Sequence, residues 1–600
     1  MRILGITDGQ TSGATIVEDG RILAAINEER IARIKLARGF PWESIREVMR
    51  MTGTEPGDIG HVAVAQVNME LHEDVLPWPG WFEARGEDGD VSTAFFKVAS
   101  RFGGIAPRIP GLKKAYYSLR SPVYAQRRKR IAEILRDEYF IAAKPRFISH
   151  HYAHATSAYY TSQYEDALVV TMDGGGDGHS SHVYSVEKGH FRKLNTADSY
   201  DSLGNYYAYV TALCGYKAKR HEGKITGLAA TGKPLFRSLL AGMIACRDGH
   251  LHNDGRVLFN KALDRIRSQL PDRWTHADLA ASVQQVAEDV ATAYVAYWAA
   301  KTGHRNVALA GGLFANVRIN EEIQRLPGVD NVFVHPAMSD EGLAVGAALA
   351  QQGAIWRQSG GEYQPRDLPD VYLGNGYTER EIAAALDESG LEFQAFPGTV
   401  EAEIARRLAQ GDVVARFAGR MEYGPRALGN RSILYQPGDP SVNDWLNDML
   451  KRTEFMPFAP ASRWESARDL YEIDGGSLDT ARFMTITYHC RPVMRDKCGG
   501  VVHVDNTARP QLVREQDNPS YYRIIREFEA LTNLPAIINT SFNIHEEPIV
   551  RTPQDALRAF LDSSLDWLAL GDFLVKGPVG SQATRDKWQA MPRESRMTAS

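Results

Sequence analysis

Two segments of the chain carry the same order of a strand, an acidic turn and a hairpin, and this repetition constrains the fold more than any other feature. In the first segment, the apolar run 2–7 ends at Asp8-Gly9, and two further apolar runs follow around a tight turn. In the second, the run 167–172 ends at Asp173, and a hairpin follows in the same way. We interpret them as an internal duplication, with two unrelated hairpins as the alternative.

Helix and strand patterns continue after the second repeat. Residues 279–302 have the apolar spacing of a long buried helix, and the apolar runs 306–310 and 331–334 each stop at a loop. In open α/β sheets, ligands bind at loops that follow the carboxyl ends of strands. Two strand–turn–hairpin units followed by helices predict the duplicated actin-like ATPase fold, in which the phosphates of a nucleotide lie between the two Asp-Gly turns.

The length of the chain predicts more than one domain. Its 600 residues are 44% hydrophobic, which is enough to bury two cores. Periodicity is lost between residues 353 and 373, where glycines and prolines accumulate. We therefore predict an α/β protein with one domain over residues 1–360 and a second over 361–600.

Charge and composition exclude several classes of partner. The 69 basic and 74 acidic residues give a formal charge of -5, which indicates neither nucleic-acid binding nor attraction to an anionic membrane. No stretch approaches the length of a membrane helix and the first residues read as a strand, so we expect a cytoplasmic protein. The four cysteines have no ligand-like spacing, and we expect packed thiols.

A pair of histidines gives the sharpest chemical signal. His150 and His154 are four residues apart and share one face of a predicted helix, so both imidazoles can bind one ion. Asp173 and Asp340 follow strands in the same domain and are the expected carboxylate ligands. Two nitrogen and two oxygen ligands suit Fe2+, Zn2+ or another divalent ion. The alternative is that the histidines cap a helix and fill the core.

Glycines at the ends of strands predict a nucleotide site in the same domain. They let backbone amides approach a phosphate closely, and the predicted nucleotide-binding residues are Gly174, Gly175, Gly176, Gly311, Gly312 and Asn316. The segment 227–233 resembles a P-loop, but Pro234 stands where the magnesium-binding hydroxyl belongs, and we reject that interpretation.

Arginines are concentrated in the predicted second domain. Arg416, Arg420, Arg426 and Arg431 lie in a glycine-rich segment, and such a cluster favours a phosphate-rich ligand over a solvated face. By contrast, the basic run 126–130 opens a helix that soon turns acidic, and we interpret it as a solvated face.

Long motifs spread over nearly the whole chain resemble the NodU/CmcH family of O-carbamoyltransferases, which includes the tobramycin and cephalosporin enzymes. The matching motifs are NEERIARIK (27–35), HHYAHATSAYY (150–160), KITGLAATG (224–232), GRMEYGPRALGNRSIL (419–434), PFAPA (457–461), HVDNTARPQ (503–511), NTSFN (539–543) and EPIV (547–550). The resemblance implies an actin-like (ASKHA) N-terminal domain, similar to the threonylcarbamoyl-transfer enzymes, and a YrdC-like C-terminal domain. The size and the resemblance also suggest a homodimer.

The resemblance also implies a two-step reaction. The C-terminal domain would convert carbamoyl phosphate and ATP, with Mg2+, to carbamoyl-adenylate. The residues that match this site are Arg426, Lys451, Arg452, Arg509, Asn539, Ser541 and Asn543. The N-terminal domain would then transfer the carbamoyl group to a hydroxyl of a small natural-product acceptor and release AMP, with the family's metal ligands at His150, His154, Asp173 and Asp340.

Three further residues are expected near the transfer step. Lys35 matches the family's active-site lysine, although a surface lysine is the alternative, and His151 is expected to reach the substrate. Gln10 stands where related enzymes carry a histidine, and Gln cannot act as a general base. Met456 and Glu546 also depart from the family pattern near the C-terminal site.

Two other functions are compatible with the sequence. An actin-like kinase for a small molecule would need only the N-terminal domain, and an inactive regulatory relative would explain the departures at Gln10, Met456 and Glu546. The acceptor is not readable from the sequence, although the aromatic loop 74–90 is a candidate for binding it.

Overall fold

A computed structural model gives the fold of the chain. It describes residues 1–80, 82, 112–360, 363, 366, 368–451, 457–473, 476, 478–544, 546–582 and 584–586. The chain divides into two compact units. The N-terminal unit contains Met1–Glu28 and Leu36–Leu368, and the C-terminal unit contains Glu29–Lys35 and Pro369–Ser600. The short segment Glu29–Lys35 therefore belongs to the second unit, a division that the sequence patterns did not reveal.

The first sheet of the N-terminal unit has five strands. They are β1 (Arg2–Thr7), β2 (Gly13–Glu18), β3 (Arg21–Asn27), β4 (Ile59–Ala65) and β5 (Pro145–Ile148). Their spatial order is β3-β2-β1-β4-β5. The hairpin strands are antiparallel, whereas β4 runs parallel to both β1 and β5. The apolar side chains of β1 are fully buried, as its uninterrupted apolar run predicts.

The second sheet repeats this topology. Its five strands are β6 (Asp166–Gly176), β7 (His179–Glu187), β8 (His190–Asp198), β11 (Asn306–Ala310) and β12 (Asn331–Val334). Between β8 and β11 in the chain, β9 (Ile244–Arg247) and β10 (His250–Asn253) form a separate hairpin. The order β8-β7-β6-β11-β12, with β11 parallel to β6 and β12, corresponds strand for strand to the first sheet. The internal duplication is therefore present in the structure, and the predicted actin-like fold class is confirmed.

The first helix, α1 (Glu28–Ala32), lies almost entirely in the segment Glu29–Lys35 of the C-terminal unit. The helices of the N-terminal unit are, in chain order, α2 (Trp42–Thr52), α3 (Leu112–Asp137), α4 (His150–Tyr160), α5 (Leu203–Leu213), α6 (Glu222–Ala229), α7 (Arg237–Ala241), α8 (Asn260–Arg267), α9 (His276–Thr302), α10 (Val317–Gln324) and α11 (Leu343–Gln358). The long buried helix predicted at 279–302 is α9, which Thr275 caps through its side chain. Helix α11 packs closely on α4, because a β-carbon at Gly346 would lie 1.9 Å from the Ala153 carbonyl oxygen.

The C-terminal unit is also α/β. Its strands are β13 (Phe393–Ala395), β14 (Val414–Phe417), β15 (Arg431–Tyr435), β16 (Ala459–Arg463), β17 (Tyr488–His489), β18 (Thr507–Ala508), β19 (Gln511–Val513), β20 (Ala536–Ser541), β21 (Trp567–Leu570) and β22 (Phe573–Lys576). Eight of them form one mixed sheet in the order β13-β22-β21-β14-β15-β20-β16-β19, and β17 pairs with β18.

Two apolar clusters enclose the large sheet, one around Phe417 and Ile538 and the other around Leu434 and Ile537. The helices of this unit are α12 (Glu379–Ser389), α13 (Val400–Ala409), α14 (Val442–Met449), α15 (Ala467–Leu470), α16 (Pro492–Lys497), α17 (Pro519–Thr532) and α18 (Pro553–Ser563). Among all described helices, none combines the length and the apolar character needed to cross a bilayer.

Candidate functional site

The four predicted metal ligands meet in the N-terminal unit. Helix α4 begins at His150 directly after β5, and its period places His150 and His154 on one face. Asp173 lies near the carboxyl end of β6, and Asp340 opens a short 3-10 helix in the loop after β12. The duplicated topology thus brings the ends of three strands to one place, where the fold class binds ligands.

The side chains converge closely. His150 Nε2 lies 2.6 Å from Asp173 Oδ2 and 3.8 Å from Asp340 Oδ1. His154 Nε2 lies 3.4 Å and 3.5 Å from the same two oxygens. One ligand atom from each residue falls within 4.8 Å of every other. Both histidines and Asp173 are buried, whereas the side chain of Asp340 is 22% exposed, so the cluster is most accessible at Asp340.

The chemistry of this cluster fits a divalent cation. Both ring nitrogens of His154 are buried and lack a hydrogen-bond partner within the described residues, and leaving such atoms unpaired is costly. A metal ion on Nε2 would satisfy one of them. Two imidazole nitrogens and two carboxylate oxygens form a donor set typical of Fe2+ or Zn2+. His150, His154, Asp173 and Asp340 are therefore the residues that would hold the ion.

Electrostatics at the cluster also favour a cation. Burial alone would lower the pKa of His150, but the charges of Asp173 and Asp340 outweigh it and raise the pKa to about 9. Burial would likewise raise the pKa of Asp173, but the neighbouring histidines hold it well below its usual value. A carboxylate that stays ionised in a buried site attracts positive charge.

His151 has a different environment from the two ligand histidines. Its Nδ1 lies 2.9 Å from Thr171 Oγ1, and its Nε2 lies 3.0 Å from the His179 carbonyl oxygen. Burial lowers the pKa of His151 to about 3, which keeps the ring neutral. Both ring nitrogens are thus engaged within the protein, which favours a supporting role over contact with a substrate.

At each glycine of the second Asp-Gly turn, the side chain of a neighbouring residue occupies the position that a β-carbon would need. A β-carbon at Gly174 would lie 1.4 Å from Lys219 Nζ, one at Gly175 would lie 2.7 Å from Ser199 Oγ, and one at Gly176 would lie 2.2 Å from His150 Cγ. These close contacts explain the three glycines by packing. The expectation that they also approach a phosphate stays a prediction.

The second predicted glycine loop is tightly packed as well. Gly311 has a φ of +107°, and a β-carbon there would lie 2.2 Å from the Met172 carbonyl oxygen. Gly312 is less crowded, with Ser339 Oγ at 3.2 Å from its β-carbon position. The Asn316 side chain caps α10 and exchanges hydrogen bonds with Gln284, so its amide is already engaged.

Gln10 and Lys35, the other two residues expected at the transfer step, lie in different units. Gln10 follows β1 in the N-terminal unit and forms an isolated bridge with Arg38. Lys35 lies in the segment that belongs to the C-terminal unit, whereas the four predicted metal ligands belong to the N-terminal unit. Arg33 anchors this segment, since it donates hydrogen bonds to the carbonyl oxygens of Ile549 and Pro548.

Three arginines of the C-terminal cluster make hydrogen bonds within the protein, and the phosphate-binding role expected from the sequence stays a prediction. Arg416 is buried and donates to Gly429 O and Asn430 Oδ1. Arg431, also buried, donates to four backbone carbonyls, and Arg420 donates to those of Gly374 and Leu373. Arginine's five donors suit the cross-linking of a glycine-rich loop as well as they suit phosphate. Arg426 is the half-buried member of the cluster.

Several predicted C-terminal residues do share one end of the sheet. Asn539 in β20 donates to Ala427 O, which places it beside the loop that carries Arg426. Ser541 pairs with Ser432 at the end of the same strand. Asn543 follows and donates to Glu547 O at 2.6 Å.

The remaining C-terminal candidates vary in exposure. Arg509, after β18, is half-buried, Lys451 is exposed with a φ of +55°, and Glu546 is half-buried with a φ of +65°. Arg452 and Met456 lie outside the described residues.

The family of the chain follows from its similarity to two family models. Residues 2–349 match the family model described as carbamoyltransferase N-terminus, and residues 405–577 match the one described as carbamoyltransferase C-terminus. The chain belongs to the carbamoyltransferase family of enzymes. The resemblance read from the motifs is therefore confirmed.

Relatives of the enzyme match along most of its length. Nodulation protein NolNO of Sinorhizobium fredii is 31% identical, over 94% of this chain and 78% of that protein. Nodulation protein NolO of Bradyrhizobium diazoefficiens is 34% identical, over 74% of this chain and 81% of that protein. Among solved structures, T. kodakarensis HypF is 11% identical with a TM-score of 0.31, over 59% of this chain and 48% of that chain.

Two structural roles in the enzyme escaped the sequence patterns. Arg127, in the basic run interpreted as a solvated face, is 1% exposed and binds Asp8 with both Nε and Nη2, at 2.8 and 2.6 Å. That interpretation was wrong for Arg127, because the buried Asp8 carboxylate requires a charged partner. In the C-terminal unit, Gln511 accepts from Asn539 and donates to Leu428 O, which links β20 to the arginine-rich loop.

Proposed function

We propose that the enzyme is an ATP-dependent O-carbamoyltransferase that forms carbamoyl-adenylate in its C-terminal unit and transfers the carbamoyl group to a small-molecule hydroxyl in its N-terminal unit. The observation that carries this proposal is the buried cluster of two histidines and two aspartates at the strand ends of an actin-like unit. A kinase would not need the second unit, whose carbamoyltransferase match covers residues 405–577.

The first step consumes ATP, carbamoyl phosphate and water. Carbamoyl phosphate releases phosphate, the resulting carbamate oxygen bonds to the α-phosphorus of ATP, and pyrophosphate leaves with Mg2+. Negative charge accumulates on both leaving groups, so fixed positive charge lowers the barrier. Arg426, Arg509, Lys451 and Arg452 would supply that charge. Asn539 and Ser541 lie at the same sheet end as the loop of Arg426 and would orient the carbamoyl group, together with Asn543.

The second step transfers the carbamoyl group. The acceptor oxygen bonds to the carbamoyl carbon, the bond from that carbon to the phosphate oxygen breaks, and AMP leaves with the electron pair. A metal ion held by His150, His154, Asp173 and Asp340 would supply Lewis acidity that polarises the carbamoyl group. Lys35, which matches the family's active-site lysine, would stabilise the negative charge that develops in this step.

The proton of the acceptor hydroxyl needs a destination. Gln10 has no basic atom, and both ring nitrogens of His151 are engaged by Thr171 and His179. Neither of these predicted residues is therefore placed to take the proton. We assign it to the phosphate oxygen of the departing AMP, which becomes more basic as the carbon–oxygen bond breaks.

Product analysis tests the proposed reaction without knowledge of the acceptor, because water can intercept the adenylate. Purified enzyme is incubated with α-labelled ATP, Mg2+ and carbamoyl phosphate, and the nucleotides and pyrophosphate are quantified. We expect AMP and pyrophosphate in equal amounts, and only when carbamoyl phosphate is present. ADP as the main product would instead support a small-molecule kinase, and the absence of turnover would support an inactive regulatory relative.

Metal analysis tests the N-terminal centre separately. Wild-type enzyme and His154→Ala are purified in parallel and assayed for bound iron and zinc. His304→Ala serves as the matched control, because His304 lies in the same unit and contacts Ser185 rather than the cluster. We expect metal in the wild type and the control and a loss of metal in His154→Ala. Equal metal content in all three proteins would refute the ligand assignment.

A further inference from the structure

Gln66 contacts one of the metal-binding histidines from an unusual backbone conformation. It follows β4 directly, is 9% exposed and has a φ of +67°. Its side-chain amide nitrogen, Nε2, lies 3.0 Å from His150 Nδ1, the ring nitrogen that faces away from Asp173 and Asp340. Positive φ is uncommon for residues other than glycine, asparagine and aspartate, and where it persists the surrounding structure enforces it, often at functional sites.

A buried ion pair holds the backbone of Gln66. Arg127 donates to the carbonyl oxygens of Gln66 and Ala65 at 2.8 and 3.0 Å. The same guanidinium pairs with both oxygens of Asp8, and neither side chain is exposed to solvent. All of these groups lie in the N-terminal unit. The first Asp-Gly turn of the duplicated fold therefore supports the strand end that carries Gln66.

The chain after Gln66 is tied directly to the start of α4. The carboxylate of Asp177 accepts hydrogen bonds from the backbone N–H groups of Val67, Asn68 and His150. On the other side, a β-carbon at Gly9 would lie 3.1 Å from Gln66 Oε1, so this glycine leaves room for the amide. The amide is thus enclosed, and its distance to His150 is fixed by both neighbouring segments.

Metal coordination needs such a contact. A histidine that binds a metal ion through Nε2 carries its proton on Nδ1, and that proton almost always goes to a hydrogen-bond acceptor. The carboxamide of Gln66 directs its Nε2 at His150 Nδ1, and a 180° rotation about the Cγ–Cδ bond places Oε1 there to accept the proton of Nδ1–H. His154 has no corresponding partner, since its Nδ1 makes no hydrogen bond within the described residues.

We propose that Gln66 is a positioning residue: with its carboxamide turned to place Oε1 at His150, it accepts the Nδ1 proton and fixes the ring with Nε2 toward Asp173 and Asp340. The Asp8–Arg127 ion pair holds Gln66 in the conformation that this contact requires. The inference rests on the metal centre of the proposed function, and it assigns Gln66 a role in metal affinity and ligand geometry.

Three substitutions at Gln66 test the inference through metal binding by the full-length, metal-free enzyme. The affinity for Co2+ is measured by chelator competition, and the visible spectrum of the Co2+ form reports ligand geometry. Gln66→Leu removes the acceptor and Gln66→Asn keeps an amide that is one methylene too short, so we expect each to weaken Co2+ binding about 10- to 100-fold. Gln66→Glu retains an acceptor, and its affinity should stay within about threefold of the wild type.

A buried glutamine elsewhere in the unit provides the control. Gln351 is 7% exposed and accepts a hydrogen bond from Arg146, so Gln351→Leu removes a comparable amide without touching the cluster. Its affinity for Co2+ should match the wild type. If Gln66→Leu fails to fold, Gln66→Asn carries the same test.

Two results would overturn the inference. Wild-type affinity in Gln66→Leu or Gln66→Asn would show that the contact does not position His150, and an equal loss in Gln66→Glu would show that Gln66 acts only through packing. Failure of the wild-type enzyme to bind Co2+ would remove the metal centre itself, so the wild-type titration distinguishes failure of the proposed function from failure of the Gln66 role.

Discussion

Replacing Gly176 by alanine should disrupt the metal centre through a purely steric effect. The added β-carbon would lie 2.2, 2.3 and 2.4 Å from Cγ, Cδ2 and Nδ1 of His150. Non-bonded carbon atoms approach to about 3.5 Å, so the imidazole has to retreat by roughly 1.2 Å. Metal–ligand distances tolerate only about 0.2 Å, so the displaced ring can no longer bind the ion together with His154, Asp173 and Asp340.

The loss of Co2+ affinity expected for Gly176→Ala is larger than the loss expected when only a hydrogen bond to a metal ligand is removed. Loss of a hydrogen bond to a metal ligand typically costs about 10- to 100-fold in affinity, and loss of one of four ligands should cost at least about 100-fold. Chelator competition with Co2+ measures the affinity. Gly223→Ala is the matched control, because Gly223 lies in α6 of the same unit and a β-carbon there meets no atom within 4 Å.

A second measurement separates this effect from misfolding. Pyrophosphate release from ATP and carbamoyl phosphate is assigned to the C-terminal unit, so it should persist in Gly176→Ala while carbamoyl transfer is lost. Near-wild-type Co2+ affinity in Gly176→Ala would refute the steric reasoning. Loss of metal binding in Gly223→Ala as well would show that the unit is sensitive to any glycine replacement.

Further predictions concern the buried ion pair, pH and the metal. Arg127→Met leaves the Asp8 charge buried and should destabilise the N-terminal unit by about 3–5 kcal/mol in urea denaturation, whereas Lys129→Met, at an 80% exposed side chain, should have little effect. In metal-free enzyme, protonated His150 should stabilise the folded state fully below its unfolded pKa of about 6.5, and this stabilisation should be lost as the pH rises through about 9, its pKa in the folded state. Urea denaturation at a series of pH values measures the dependence. The variant His150→Ala should abolish it. A chelator selective for transition-metal ions, used with excess Mg2+, should stop carbamoyl transfer but not pyrophosphate release, and added Fe2+ or Zn2+ should restore transfer.

The parts of the site that the sequence predicted depend on local geometry. His150 and His154 are four residues apart, and a helix fixes their relation wherever it packs, so the pair was recognisable without a structure. Asp173 and Asp340 follow strands, and the duplication implied that strand ends meet. The carbamoyl-transfer reaction was predicted from the family motifs alone, because the spacing of residues does not specify a carbamoyl group.

The parts that escaped prediction depend on long-range partners. The charges of Asp8 and Arg127 were visible, but the two residues lie 119 positions apart, and only the fold brings them together. Arg416 and Arg431 look like phosphate ligands because their charge is visible in the sequence, whereas the backbone carbonyls they bind are not. Gln66 carries no motif at all, and only its backbone conformation and its contact with His150 identify it.

The duplication also explains why the N-terminal unit has one candidate metal centre within its described residues rather than two. Both repeats end their first strand with Asp-Gly, and each aspartate is largely buried, so each needs a cationic partner. In the first repeat Arg127 is that partner, and its guanidinium uses both carboxylate oxygens of Asp8. In the second repeat Asp173 lies against two histidines, with its Oδ2 at 2.6 Å from His150 Nε2 and 3.4 Å from His154 Nε2. The acidic turn of the first repeat is therefore neutralised by an arginine that also holds Gln66, while the acidic turn of the second repeat contributes to the candidate metal centre.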